Sequence, residues 1–213
     1  MNKPIYFLAV FLLLLLNCNN SKTSNINSFN TEVKEQIKSE YKNVGFIADT
    51  TINNKFLLEN YQSIEIFFRG FNDFKLVEQL RSSPVAIFSN KAQNEYLLAY
   101  QYEGGTKNAF SCFEIGKLSE LQNVAKTSIT KIGFDNFYTE NTLQLGQSIE
   151  DVKRIKGNTY TLTSEANEKT ISYKIDDEKS DFLKRYNMPS YFLQITFNKT
   201  EKVKRIIFGF DYP

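Results

Sequence analysis

The 213-residue chain has no histidine and no tryptophan, two cysteines, two methionines, four prolines and nine glycines. Without histidine, Ser-His-Asp and Cys-His nucleophilic sites are excluded. Histidine-ligated zinc, copper, non-haem iron and haem are excluded with them. Carboxylate, lysine and oxygen-ligated metal chemistry stay open. Charge of either sign is not in excess: 26 Lys and Arg stand against 24 Asp and Glu, a net +2. A nucleic-acid binder would carry a basic face or stripe, and the scattered signs here argue against one. Long apolar runs are also missing. The longest, Ile5 to Leu16, falls short of the roughly 20 residues that a helix needs to cross a bilayer.

That run is itself informative. Lys3 precedes it and Asn17-Cys18-Asn19-Asn20 follows it, the layout of a secretory signal with a short positive end and an apolar core. Leu15-Leu16-Asn17-Cys18 resembles the lipobox of bacterial lipoproteins, in which cleavage just before the cysteine leaves that residue to carry acyl chains. Asn17 stands where such boxes usually have Gly, Ala or Ser. The expected division is residues 1–17 as signal peptide and 18–28 as a flexible polar tether with lipidated Cys18. An ordinary cleaved signal with an incidental cysteine is the alternative. By similarity to the sorting rules of such lipoproteins, Asn19 in place of aspartate implies the outer membrane, facing the periplasm, with surface exposure left open. Cys112, in FSCFEIG, reads as a buried inert thiol, with a Cys18–Cys112 disulfide as the competing reading.

Beyond the tether, Phe29, Val33, Ile37 and Tyr41 recur every four residues, predicting a helix that ends near Gly45. Residues 63–71 alternate as a strand, and Asn72-Asp73 then reads as the cap of a short helix carrying Phe74, Leu76, Val77 and Leu80. Strands are expected at 85–89, 95–102 and 109–115, the last two joined through Gly104-Gly105, with a short helix at 119–126. In the second half, Ser148 with Asp151 forms a capping-box pattern. It opens a helix whose Ile149, Val152 and Ile155 share a face, and Gly157 is placed to end it in the left-handed conformation. Strands follow at 159–163, 170–175, 191–197 and 203–210, with a charged loop between the second and third. Tyr191, Leu193, Ile195 and Phe197 take one side, as do Ile206, Phe208, Phe210 and Tyr212.

The expected fold class is α+β: short helices packed on antiparallel sheet, divided into halves at 29–130 and 131–213. Gly70 and Gly146, Asn72 and Ser148, and Leu76 and Val152 all stand 76 residues apart, which raises two tandem helix-plus-sheet units. The competing view is that short α+β units simply look alike. Leu145, Gly146, Ser148, Val152 and Gly157 match a segment of the small bacterial lipoproteins of the SmpA/OmlA type, which serve outer-membrane protein assembly. The β-lactamase-inhibitor-like domains share the same helix-then-sheet unit, at times in tandem copies. The resemblance covers residues 143–212 and implies a non-enzymatic protein-binding module in the cell envelope. A periplasmic small-ligand carrier or sensor is the alternative.

No residue pattern marks a catalytic or metal site, and no cofactor is implied. Glu150-Asp151 suits the positive end of a helix, and Asp176, Asp177, Glu178 and Asp181 lack the spacing of a calcium loop. Lys202, Lys204 and Arg205 read as guards of an edge-like strand. Tyr96, Tyr100 and Tyr102 share a strand face and are the binding candidates, with core packing the plainer account. The expected partners are the membrane, through the lipid on Cys18, and an envelope protein.

Overall fold

A broad antiparallel sheet dominates a mixed α and β architecture, and the computed structural model is richer in strand than the expected α+β packing. The structure describes residues 46–69, 74–80, 83–102, 105–165 and 168–211. Cys18, the tether, the expected helix at 29–41, Gly70, Asn72 and Tyr212 lie outside them.

The chain enters through a small hairpin, β1 (Thr51–Ile52) and β2 (Phe56–Leu57), turned by Asn53 and Asn54 at φ 52° and 51°. Asparagine accepts that left-handed backbone more readily than other side chains. Helix α1 (Tyr61–Phe68) follows, where alternation predicted a strand. Asn60 decides this: its side chain accepts from the Ser63 N–H at 3.0 Å, an N-cap that commits the next turn to helix. Packing completes the override, since Phe67 and Phe68 lie 4.8 and 6.0 Å from the Phe56 ring. The neighbouring expectation fails in the opposite sense. Residues predicted as a helix from Phe74 form strand β3 (Leu76–Leu80), antiparallel to β4 (Ser83–Ser89).

Strands β5 (Glu95–Gln101) and β6 (Phe110–Lys117) complete a four-stranded meander close to expectation. The expected helix at 119–126 is instead two 3₁₀ turns, Leu118–Glu120 and Lys126–Ser128, leading to β7 (Ile129–Lys131), which pairs parallel with β4. Helix α2 (Ile149–Lys156) has the predicted capping box, Ser148 and Asp151 each bonding the other's backbone. Gly157 ends it at φ 84°, ψ −175°, an extended glycine conformation and not the left-handed one. Strands β8 (Thr161–Glu165), β9 (Glu168–Ile175), β10 (Ser190–Phe197) and β11 (Val203–Asp211) form a second meander. The charged loop within it contains an unpredicted helix, α3 (Asp181–Tyr186), capped by Ser180 and anchored by buried Phe182 and Leu183.

The spatial order is β3-β4-β5-β6-β11-β10-β9-β8, so the meanders meet at their last strands and form one sheet. Register runs across the seam from Arg205 opposite Gly116 to Gly209 opposite Cys112. One face of the sheet, here the inner face, carries Phe88, Leu97, Phe113, Ile115, Phe208, Ile206, Leu193, Ile195, Ile171 and Tyr173, all buried. Phe56, Phe68 and Phe74 cover Phe88 there, at 5.5–5.6 Å between rings. Burying so many aromatic rings supplies most of the drive to fold, roughly 25 cal/mol for each Å² of apolar surface removed from water.

Candidate functional site

The outer face of the sheet differs between the two meanders. On the first, Val85, Ile87, Tyr96 and Leu98 form a second apolar core, roofed by Leu118, Leu121, Val124 and Ile129 from the segment between β6 and the end of β7. On the second, the outward positions of β8–β11 include Thr163, Thr170, Ser172, Gln194, Thr196 and Arg205, together with partly buried Phe192 and Ile207. With Glu165 and Glu168 the polar ones line a solvent-open groove of about 560 Å³. Alternation along β9 and β10 is the cause, since Ile171 and Ile195 between these residues point inward and are apolar. Thr170 and Thr196, paired across β9 and β10, bring their hydroxyl oxygens to 3.3 Å.

A β-bulge sets the charge of this groove. Thr196 pairs with Arg205 but Phe197 pairs with Val203, leaving Lys204 as the extra residue on β11. Val203 points into the core, while Lys204 and Arg205 both reach the outer face. Lys204 is neutralised by Glu168 and by Glu120, the latter at 3.7 Å. Among the described residues no carboxylate lies within ion-pair distance of Arg205, and its Nε–H is shut off from solvent with no acceptor. A shielded donor without a partner costs about 1–3 kcal/mol. These residues were expected to guard an edge strand; β11 is central, between β6 and β10. The exposed edge is β8, where Leu162 is 51% exposed.

The tyrosine candidates fall on the roofed half. Tyr96 is 4% exposed and donates its hydroxyl to Glu114 Oε1 at 2.7 Å, and Tyr100 donates to Oε2 at 2.8 Å. Glu114 itself is fully buried. Tyr102, at the strand end, is 36% exposed. The structure thus brings Tyr96 and Tyr100 together on a carboxylate and places Tyr102 beyond it. Cys112 is a buried thiol whose sulfur lies 3.9 Å from the Phe113 carbonyl oxygen.

A second polar constellation lies beneath α2 and was not foreseen. Lys156, in the last turn of the helix, forms an ion pair with Asp49, both side chains fully shielded from water. Lys156 also donates to the Ile47 carbonyl at 2.7 Å. Asp49 Oδ1 accepts from the Asn141 amide at 2.9 Å. Tyr191 donates to the Asp49 carbonyl at 2.8 Å and accepts from its N–H at 3.0 Å. Glu140 accepts from the Thr50 and Thr51 N–H groups at 2.6 and 2.8 Å. Burial lowers the Lys156 ammonium below its ordinary range, with Asp49 and Glu140 opposing. Burial pushes the Tyr191 phenol well above its own range. The available signal was Lys156 itself, which falls on the Ile149–Val152 stripe at the i+7 position.

The acidic residues are accounted for locally. Asp151 is held below the usual carboxylate range by its Ser148 hydrogen bonds, with Arg154 adding to the effect. Asp176 pairs with Lys174 at 3.1 Å, and Asp177 accepts from the Lys179 N–H at 2.9 Å. Among the described residues no group of three or more acidic or cysteine side chains is arranged to hold a metal ion. No described helix is long and apolar enough to cross a membrane. A shallower apolar groove of about 420 Å³ lies along α1, beside Ile66, which is 78% exposed. No protein-family model, curated protein or solved structure matches this chain.

Proposed function

We propose that this protein is a lipid-anchored, non-enzymatic interaction module of the cell envelope whose docking surface is the outer face of the second meander. Acylated Cys18 holds it on the periplasmic side of the outer membrane, and the polar tether lifts the sheet clear of the bilayer. The observation that carries the reading is the unequal covering of one continuous sheet. The chain spends the whole segment from Leu118 to Lys131 on roofing one half and leaves the other half bare. The bare surface is broad, held on rigid strands and lined by hydroxyl and amide groups that bond readily to a partner's backbone and side chains.

The architecture also supports two tandem units, in line with the β-lactamase-inhibitor-like resemblance. Each unit is a capped helix followed by a four-stranded meander, and the caps Asn60 and Ser148 are 88 residues apart. The spacing of 76 does not survive, because its first helix is strand β3.

Photocrosslinking in intact envelopes tests the docking reading. A crosslinker at Gln194, on the bare face, is expected to capture a discrete protein adduct, and one at Lys126, on the roof, is not. Acylation is read separately, as a mass increment and membrane fractionation that Cys18→Ala abolishes. Equal capture from both positions, or from neither, overturns the docking reading. Unchanged fractionation of Cys18→Ala overturns the anchor.

A further inference from the structure

We propose that Lys156 and Asp49 condense spontaneously into an amide, a covalent staple between the end of α2 and the segment that enters the first hairpin. The inference goes beyond the docking reading and does not depend on it.

Lys156 is the one buried lysine among the described residues, and the side chains of both partners are fully shielded from water. Nζ lies against Oδ2 of Asp49, yet Oδ2 has no hydrogen-bond partner, so the contact lacks the alignment of a shared proton. Charges buried in this way are costly, and condensation removes both. Burial also holds the Lys156 ammonium below its ordinary range, which favours the free amine that attack requires. Neighbours fix the geometry. The Tyr191 hydroxyl holds Asp49 by its N–H and by its carbonyl, and Glu140 holds the N–H groups of Thr50 and Thr51. Reactants fixed in this way have already lost the freedom that two separate molecules must give up to react.

The step balances without a co-reactant. One proton passes from the Nζ ammonium to Oδ2, leaving an amine and a carboxylic acid. The Nζ lone pair then attacks Cγ, and the π electrons of the carbonyl move to Oδ1. That oxygen already accepts from the Asn141 side-chain amide at 2.9 Å and from the Asn141 backbone N–H at 3.4 Å, donors suited to a developing oxyanion. A second proton moves from Nζ to Oδ2, the Cγ–Oδ2 bond breaks and one water leaves. The nitrogen keeps its third proton, in the hydrogen bond that Lys156 already makes to the Ile47 carbonyl at 2.7 Å. Hydrolysis would need water to return to a site that excludes it. The new bond closes the chain between residues 49 and 156, a loop that contains the whole first meander, and such closure stabilises by restricting the unfolded chain.

Mass spectrometry of the denatured full chain tests the staple. Against Lys156→Arg, which keeps the charge but not the nucleophilic amine, wild-type protein is expected to be lighter by one water once the substitution is allowed for. A tryptic digest should yield residues 43–55 joined to residues 155–169, uncut after Lys156, and the two peptides should be separate in Lys156→Arg. In freshly synthesised chain, Asn141→Ala should slow the loss of water at least about tenfold. Folded wild-type protein with its full mass and separate peptides would overturn the proposal. So would a loss of water that persists in Lys156→Arg, the mark of an imide at an aspartate. An unchanged rate in Asn141→Ala would overturn the step as written.

Discussion

The two meanders share a topology and differ in what covers them. Each runs helix, then four antiparallel strands, and each packs its inner face under a helix and a loop. On the outer face β4 and β5 carry Val85, Ile87 and Leu98, and the roof must sit on them; β9 and β10 carry polar Thr170, Ser172, Gln194 and Thr196, of which Thr196 is buried by its neighbours and Gln194 is exposed. An antiparallel sheet tolerates either state, because one face alone suffices to hold it to a core. The difference lies in side-chain chemistry at alternate positions, and it separates a half devoted to stability from a half available for contact.

The largest expected effect attacks the clamp under the bare half. Asp49→Ala leaves Lys156 buried and uncompensated and is expected to cost about 3–5 kcal/mol in chemical denaturation. The double variant Asp49→Ala with Lys156→Met should lose clearly less than the sum of the two single changes. Additivity would mean that the pair is not coupled. Next comes the seam that joins the halves. A Cβ on Gly209 would sit 2.3 Å from the Ser111 carbonyl oxygen and 2.6 Å from the Cys112 Cα, both backbone atoms that cannot swing away. Gly209→Ala should therefore cost about 1–3 kcal/mol and be felt by both meanders in hydrogen exchange.

The roof is a smaller target. Leu121 and Val124 are only partly buried, so Leu121→Ser with Val124→Ser is expected to cost about 1–2 kcal/mol in all. That pair should expose β4 and β5 to exchange while leaving Gln194 crosslinking intact; loss of crosslinking would tie the two outer faces together.

Alkaline titration separates the halves by their phenols. Burial pushes Tyr173 up to about 12 and Tyr191 well above its ordinary value, both on the second meander's inner face. A phenol that binds its proton more firmly when folded stabilises fully below about pH 10, and that contribution is lost as pH rises through the folded value. Unfolding should thus set in above pH 10, with tyrosinate absorbance from these two rings appearing together with the loss of fold. Their titration at pH 10 in the folded protein would contradict this assignment. The smallest effect on stability, within about 0.5 kcal/mol, is expected for Thr170→Lys on the open face, which should nonetheless abolish crosslinking from Gln194.

Much of the fold is legible in local pattern. The strict alternation of Tyr191, Leu193, Ile195 and Phe197 predicts β10 and its buried face, and Ser148 with Asp151 predicts the start of α2. The exchange of helix and strand around residues 61–80 shows the limit of that pattern. SIEIFF satisfies a period of two well enough to read as strand, and only the Asn60–Ser63 cap with the rings of Phe56 and Phe88 settles it as helix. Helix α3 was hidden because a charged loop and a six-residue helix with two buried residues have nearly the same composition. The candidate groove was illegible for another reason. Its Thr, Ser and Gln residues look like the solvated side of any strand, and Arg205 owes its place to a bulge and to strand order.

What the sequence determines alone is what neighbouring residues settle among themselves: caps, alternation, the near balance of charge and the chemistry that a chain without histidine cannot perform. Tertiary structure decides what depends on distant partners. Lys156 and Asp49 meet across the domain, β11 comes to lie at the centre of the sheet, and one outer face receives a roof while the other does not. The physical reason is that turns and caps are stabilised within a few residues, whereas strand order and burial follow from how the whole apolar surface can be removed from water at once.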